Sequence, residues 1–117
     1  MRNILAALIY YSGVIKILRF LGRNDAKILL YHSVSEGESF FIKGMDIWVS
    51  AGTFERHLDY LSNHHRVISL RNLVDSLQGG RIPPRSVVIT FDDGFADNYH
   101  YAYASLKKYR ISATIFI

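Results

Sequence analysis

The chain has 117 residues, half of them hydrophobic and 14% aromatic, with 14 Lys+Arg against 10 Asp+Glu for a formal charge of +4. That length allows one domain or part of one, the apolar fraction excludes a disordered chain, and two prolines with eight glycines exclude collagen-like or low-complexity sequence. The absence of cysteine excludes a disulfide scaffold, a thiol nucleophile and a cysteine-based zinc site, and the charge is too small to argue for nucleic acid as a partner.

Residues 1–24 stand apart from the rest. Residues 4–21 are apolar but interrupted by Ser12, Gly13, Lys16 and Arg19. A spanning helix needs about 20 mostly uncharged residues. A signal peptide needs a small-residue cleavage site, and none of the A-x-A kind follows. The pattern predicts an amphipathic helix, basic toward its end, lying on a membrane surface. The alternative is a helix packed on the domain itself.

From residue 25 the sequence changes to short alternating elements. Lys27–Tyr31 is a short apolar run and predicts a buried strand. Residues 32–48 read as a loop, with Gly37, Gly44 and scattered polar residues. Thr53 reads as a helix cap, because apolar residues recur at Phe54, Leu58 and Leu61, and that helix should run to about Asn63. Residues 67–69 predict a brief strand. Leu70, Leu73, Val74 and Leu77 form a helical stripe, stopped by Gly79-Gly80 and then Pro83-Pro84. Ser86–Phe91 is a continuous β-branched and aromatic run, the clearest strand of the chain. Asp97 can cap a helix over residues 98–109, and residues 113–117 begin another buried strand. Strands alternating with helices argue for a parallel sheet with helical crossovers. The sequence stops within that last apolar run, where a buried parallel strand would need cover on both faces. The expectation is therefore the first part of a larger α/β domain.

The chemistry centres on Thr90-Phe91-Asp92-Asp93-Gly94. Alone, Asp-Asp-Gly is an ordinary turn. Here a buried strand delivers it to the carboxyl end of a parallel sheet, where α/β folds place active sites. Successive side chains on a strand point to opposite faces, so two carboxylates converge only if the backbone leaves strand geometry. Gly94 permits that departure because it tolerates positive φ. Two carboxylates held together repel, and a divalent cation relieves the repulsion. The pattern reads as one metal ligand beside one base. His32 follows the first strand and belongs at the same end of the sheet, as an active-site residue or a cap on the strand end. His57 and His64 share a helix face and form a candidate metal pair, with a solvated polar face as the alternative. His100 reads as a packing or surface residue. Phe40, Phe41 and Trp48 could stack on sugar rings or serve as hydrophobic cover. Gly79-Gly80-Arg81 precedes a Pro-Pro loop and is ill placed to cradle the phosphate that a Mg²⁺-dependent phosphoryl-transfer enzyme would need.

Ser86–Phe91 with Asp92-Asp93-Gly94-Phe95, then Asp97-Asn98, then Leu106-Lys107-Lys108-Tyr109 and Ala113-Thr114-Ile115-Phe116, resembles the NodB-homology polysaccharide deacetylases. Leu30-Tyr31-His32-Ser33-Val34 is similar to the opening strand of the poly-N-acetylglucosamine deacetylase-like branch. The resemblance covers about residues 27–117. It implies the N-terminal part of a distorted (β/α) barrel with parallel strands, preceded by the amphipathic helix, with domain bounds at 1–24 and 25–117. It implies a hydrolase that removes acetyl groups from N-acetylated or O-acetylated polysaccharide, with a divalent metal, commonly zinc; the expected location is the cell envelope, membrane-associated or extracytoplasmic, with the cytoplasm as the alternative. Asp92 would be the general base and Asp93 a metal ligand, with His32 in the active-site shell. The family's histidine ligands and acid histidine lie beyond the residues that match, so the rival reading is a fragment or pseudoenzyme that keeps the fold without a complete site. Arg110 and Ser112 depart from the glycine and proline usual there, which weakens the helix stop and leaves the chemistry untouched.

Overall fold

The computed structural model describes residues 25–117, and the N-terminal apolar and basic segment lies outside them. Among the described residues six strands and three α-helices follow one another, with one π-helical and one 3₁₀ turn. Strand β1 is Lys27–Tyr31, β2 Ser33–Ser35 and β3 Trp48–Ser50. Helix α1 is Ala51–His64, β4 Arg66–Val67, α2 Leu70–Gln78 and β5 Ser86–Phe91. A π-helical turn at Asn98–Ala102 leads into α3, Tyr103–Tyr109, and β6 is Thr114–Ile115.

The strands pair in parallel. β1 runs along β5 from Lys27↔Val87 to Tyr31↔Phe91. β4 pairs with the start of β5, Arg66↔Ser86, and β6 with its end, Thr90↔Thr114. A strand has two edges, and β1 occupies one along nearly its whole length, so β4 and β6 share the other. β5 is thus the central strand, buried at every position. The helical crossovers that parallel pairing requires are α1, α2 and α3.

Alternation along β5 divides the core. Val87, Ile89 and Phe91 face Val34, Phe54, Leu58, Leu61, Ala102 and Leu106, while Val88 packs with Ile68 and Leu73. The stripe Phe54, Leu58, Leu61 is the buried face of α1 at helical spacing. Burying each such side chain contributes about 1.5–3 kcal/mol, and Phe54 is the hinge of the packing, edge-on to Tyr31 at 5.0 Å and to Phe91 at 5.8 Å.

Several expectations are corrected. β1 is not buried: Leu29 and Tyr31 face the core, but Ile28 and Leu30 on the opposite face are 54% and 53% exposed. Residues 32–48 are not all loop, because β2 pairs in parallel with β3, Ser33↔Trp48, and places Val34 in the core. The cap of α1 is Ser50, whose Oγ accepts the Thr53 N–H at 3.1 Å; Thr53 sits inside the first turn. Asp97 does not cap its helix, since its backbone is already helical and its side chain makes no capping bond. The last strand is shorter than expected, and Ile115, Phe116 and Ile117 are exposed: Ile115 pairs with Phe91, the last residue of β5, so residues 116–117 run past the end of the strand they would pair with. The stop after α2 is as expected, with Gly80 at φ 69°.

Candidate active site

The carboxyl end of β5 lies beside the carboxyl end of β1. Pairing ends at Tyr31↔Phe91, and one further bond follows, from the Asp92 N–H to the Tyr31 carbonyl at 3.0 Å. His32 and Asp92 are therefore the next residues on two adjacent strands. On the other edge the Phe116 N–H donates to the Phe91 carbonyl at 2.8 Å. The chain then turns sharply. Asp93 has φ 67° and Gly94 φ 58°, two consecutive residues in the left-handed region. Asp-Asp-Gly thus leaves strand geometry at the point where convergence of the carboxylates requires it. A β-carbon at Gly94 would lie 2.6 Å from Cγ2 of Ile117, a fully exposed side chain free to move aside, so it is the positive φ that calls for glycine there.

Asp92 is half-buried, Asp93 exposed and His32 half-buried. Neither carboxylate is engaged by a hydrogen bond or ion pair with another described residue. Both are open to water, a substrate or a cation. A metal finds only part of a donor set, because among the described residues no group of three His, Cys, Asp or Glu could hold an ion. Asp93 and His32 make two donors against the three protein ligands of a catalytic zinc site.

His57, His64 and His100 have partners other than the two aspartates. The Tyr31 hydroxyl and His57 Nδ1 share a hydrogen bond at 3.0 Å, and His64 Nδ1 meets the Tyr60 carbonyl at 2.9 Å with the two rings stacked. His57 and His64 are thus engaged separately rather than forming a metal pair. His100 is exposed, edge-on to Tyr99. Trp48 is half-buried in β3, and Phe40 is exposed. Burial pushes the Tyr31 hydroxyl above its ordinary value.

Sequence reasoning missed one contact at this end of the sheet. The Ser33 hydroxyl donates to Asp97 Oδ2 at 2.5 Å, joining β2 to the segment after the Asp-Asp-Gly turn. Asp97 Oδ1 and both polar atoms of the Asn98 side chain are buried without a hydrogen-bond partner among the described residues. A serine directly after the active-end histidine was the available signal, and the capping pattern at Asp97 masked it.

The polysaccharide deacetylase family model matches residues 79–117. Over 104 residues the chain is 36% identical to the poly-beta-1,6-N-acetyl-D-glucosamine N-deacetylase of Staphylococcus aureus, covering 80% of this chain and 36% of that protein. It is 38% identical over 92 residues to YxkH of Bacillus subtilis, covering 77% of this chain and 30% of that one. Among solved structures, IcaB from Ammonifex degensii superposes with a TM-score of 0.68 at 31% identity, over 78% of this chain and 37% of that chain. The Streptococcus pyogenes deacetylase PplD, in complex with acetate, superposes with a TM-score of 0.69 at 27% identity, over 79% and 42%. The chain spans about a third of the length of the curated relatives it matches.

Proposed function

We propose, from the premise that this chain is related to the polysaccharide deacetylases, that it carries the aspartate turn of a centre that hydrolyses acetyl groups on an N-acetylated or O-acetylated polysaccharide. The observation that supports this most directly is the turn itself. Two unengaged carboxylates stand at the carboxyl end of the central strand, beside His32, where the backbone enters the left-handed region at Asp93 and Gly94. Asp92, half-buried, acts as general base and takes the proton of the water that attacks the acetyl carbon. The acetyl C–N bond then breaks and the proton taken from the water is returned to the leaving nitrogen, giving acetate and a free amine on the sugar; in an ester the C–O bond breaks instead and the proton goes to the leaving oxygen. Acetate is the ligand in the PplD structure, which suits that product. Asp93, exposed, serves as one donor to a divalent cation, zinc by family resemblance. The described residues do not complete the donor set, so the remaining ligands are sought outside them.

The wider reading has three further parts. The parallel sheet is the N-terminal part of a distorted barrel whose inner face includes Ile28 and Leu30. The apolar and basic sequence of residues 1–24, outside the described residues, suits a segment that associates with a membrane surface, which places the protein at the cell envelope. Sedimentation with anionic vesicles that weakens as salt rises checks that placement, and binding indifferent to both lipid charge and salt contradicts it.

The catalytic test is acetate release from poly-N-acetylglucosamine oligomers, measured alongside bound zinc. Asp92→Asn should keep the metal and lose about 10²–10⁴ in rate. Asp93→Asn should lose the metal and the rate together. Unchanged turnover in Asp92→Asn would remove it from the reaction.

A further inference from the structure

We infer that Ser33 and Asp97 form a positioning pair that holds the strand end bearing His32 against the turn bearing Asp92 and Asp93. The inference rests on the deacetylase reading and adds to it two residues bonded to each other rather than assigned to the reacting water or the metal. The two backbones are cross-linked on both sides of the site. Before it, the Asp92 N–H donates to the Tyr31 carbonyl at 3.0 Å. After it, the Ser33 hydroxyl donates to Asp97 Oδ2 at 2.5 Å across 64 residues of sequence. His32 on one strand and residues 93–96 on the other are thus bracketed between two fixed points. A single tie would leave the turn free to swing about it.

The second tie is a strong one. Ser33 is 1% exposed, and a hydroxyl bonded to a carboxylate at this distance is charge-assisted, roughly twice as strong as a neutral bond. The chain is shaped to make it. Asp97 sits in helical backbone with its side chain turned away from capping, and the helix begins with a π-helical turn at Asn98–Ala102. π-Bulges occur disproportionately at functional sites. The arrangement is also poor packing. Asp97 Oδ1 and the Asn98 carboxamide are buried without partners among the described residues, and a buried polar group left so is destabilising by about 1–3 kcal/mol. Apolar residues at positions 33 and 97 would serve the core better. What the polar pair provides instead is direction, because a hydroxyl–carboxylate bond fixes one geometry where apolar contact permits several. Attack on an acetyl group depends on such alignment: a misplacement of about 1 Å can cost about 100-fold in rate.

The experiment uses the full chain and two readouts. In acetate release, Ser33→Ala and Asp97→Ala should each lower kcat about tenfold with KM within about twofold, as expected for misalignment. Asp97→Asn keeps an oxygen that can accept the Ser33 bond and should restore most of the rate. In amide hydrogen exchange, protection of the Asp92 N–H should fall about tenfold in Ser33→Ala while that of Ile89, in the middle of β5, stays unchanged. Equal losses at Asp92 and Ile89 would make the pair a general stabiliser and overturn the inference, as would an unchanged kcat. If Ser33→Ala does not fold, the contrast of Asp97→Asn with Asp97→Ala decides. Asp92→Asn separates the two claims. If it keeps full activity while Ser33→Ala loosens the Asp92 amide, the deacetylase reading fails and the tie stands. If it abolishes activity while Ser33→Ala leaves both readouts unchanged, the reading stands and the positioning pair fails.

Discussion

Replacing Asp93 by glycine should stabilise the fold and abolish the proposed activity in one step. Asp93 has φ 67°, where an L-residue carries roughly 1–2 kcal/mol of strain, aspartate being at the lower end because its short side chain is tolerated there. That side chain is exposed and makes no hydrogen bond with another described residue, so removing it deletes no protein contact. Glycine relieves the strain but adds about 0.5–1 kcal/mol of conformational entropy to the unfolded chain. The two terms leave Asp93→Gly about 0–0.5 kcal/mol more stable. Asp93→Ala keeps the β-carbon and loses the tolerance peculiar to aspartate, so it should be about 0.5–1 kcal/mol less stable than the parent. The gap between the two variants is then about 0.5–1.5 kcal/mol, at some 4–8 °C in Tm for each kcal/mol in a domain near this size. Urea unfolding and thermal melts measure the order Gly, Asp, Ala, and zinc titration of the same samples measures the lost donor. If Asp93→Gly is less stable than Asp93→Ala, the left-handed turn is wrong. If Asp93→Gly keeps metal affinity and turnover, the strain is not held for the sake of a carboxylate.

Three other perturbations address the frame around the site. Phe54→Ala removes a fully buried ring that touches both Tyr31 and Phe91, and should lower stability by about 3–5 kcal/mol in urea; a loss under about 1 kcal/mol would contradict the packing described. Arg110 ends α3 at φ 54°, with its N–H donating to the Lys107 carbonyl and the Ile111 N–H to the Leu106 carbonyl. Arg110→Gly should therefore stabilise by about 1 kcal/mol, and destabilisation would show that the Arg110 side chain holds something else. Burial raises the Tyr31 hydroxyl above 10.0, so the folded state keeps this proton more tightly than the unfolded chain. Its stabilisation is complete below pH 10 and is lost as pH rises through the folded value. Urea midpoints between pH 9 and 11 should fall less steeply in Tyr31→Phe, and an unchanged slope would assign the alkaline loss to other groups.

What the sequence revealed followed from how strongly each segment depends on its own residues. The run Ser86–Phe91 is β-branched or aromatic from Val87 onward, and it is the strand buried on both faces. The stripe Phe54, Leu58, Leu61 needs only helical period to be read, and these residues are the buried face of α1. Elsewhere, local chemistry offered two equivalent answers. Ser50 and Thr53 are both capping residues three apart, and only the extended backbone at Ser50 selects it. Asp97 is a good cap by type, yet Ser33, 64 residues earlier, takes its carboxylate. β2 and β3 escaped notice because three residues are too few to show a period of two; their evidence is a mutual pairing, Ser33↔Trp48, that no single segment contains.

The location of the candidate site divides in the same way. That His32 and Asp92 belong at one end of the sheet follows from parallel strands alone, since each residue comes just after a strand. That they are neighbours does not follow. Chain order would set β4 between β1 and β5, and a site read in that order would be spread across three strands. Instead β4 pairs only with Ser86 and Val87 at the far end of β5, and β1 takes the opposite edge along Val87 to Phe91. A two-residue strand cannot separate the strands on either side of it over five residues of pairing. The brevity of β4 is written in the sequence, where Arg66-Val67 lies between two helices with little apolar run of its own. Its consequence for the site appears only once β5 has chosen its partners, and that choice is what sets a histidine beside the aspartate turn.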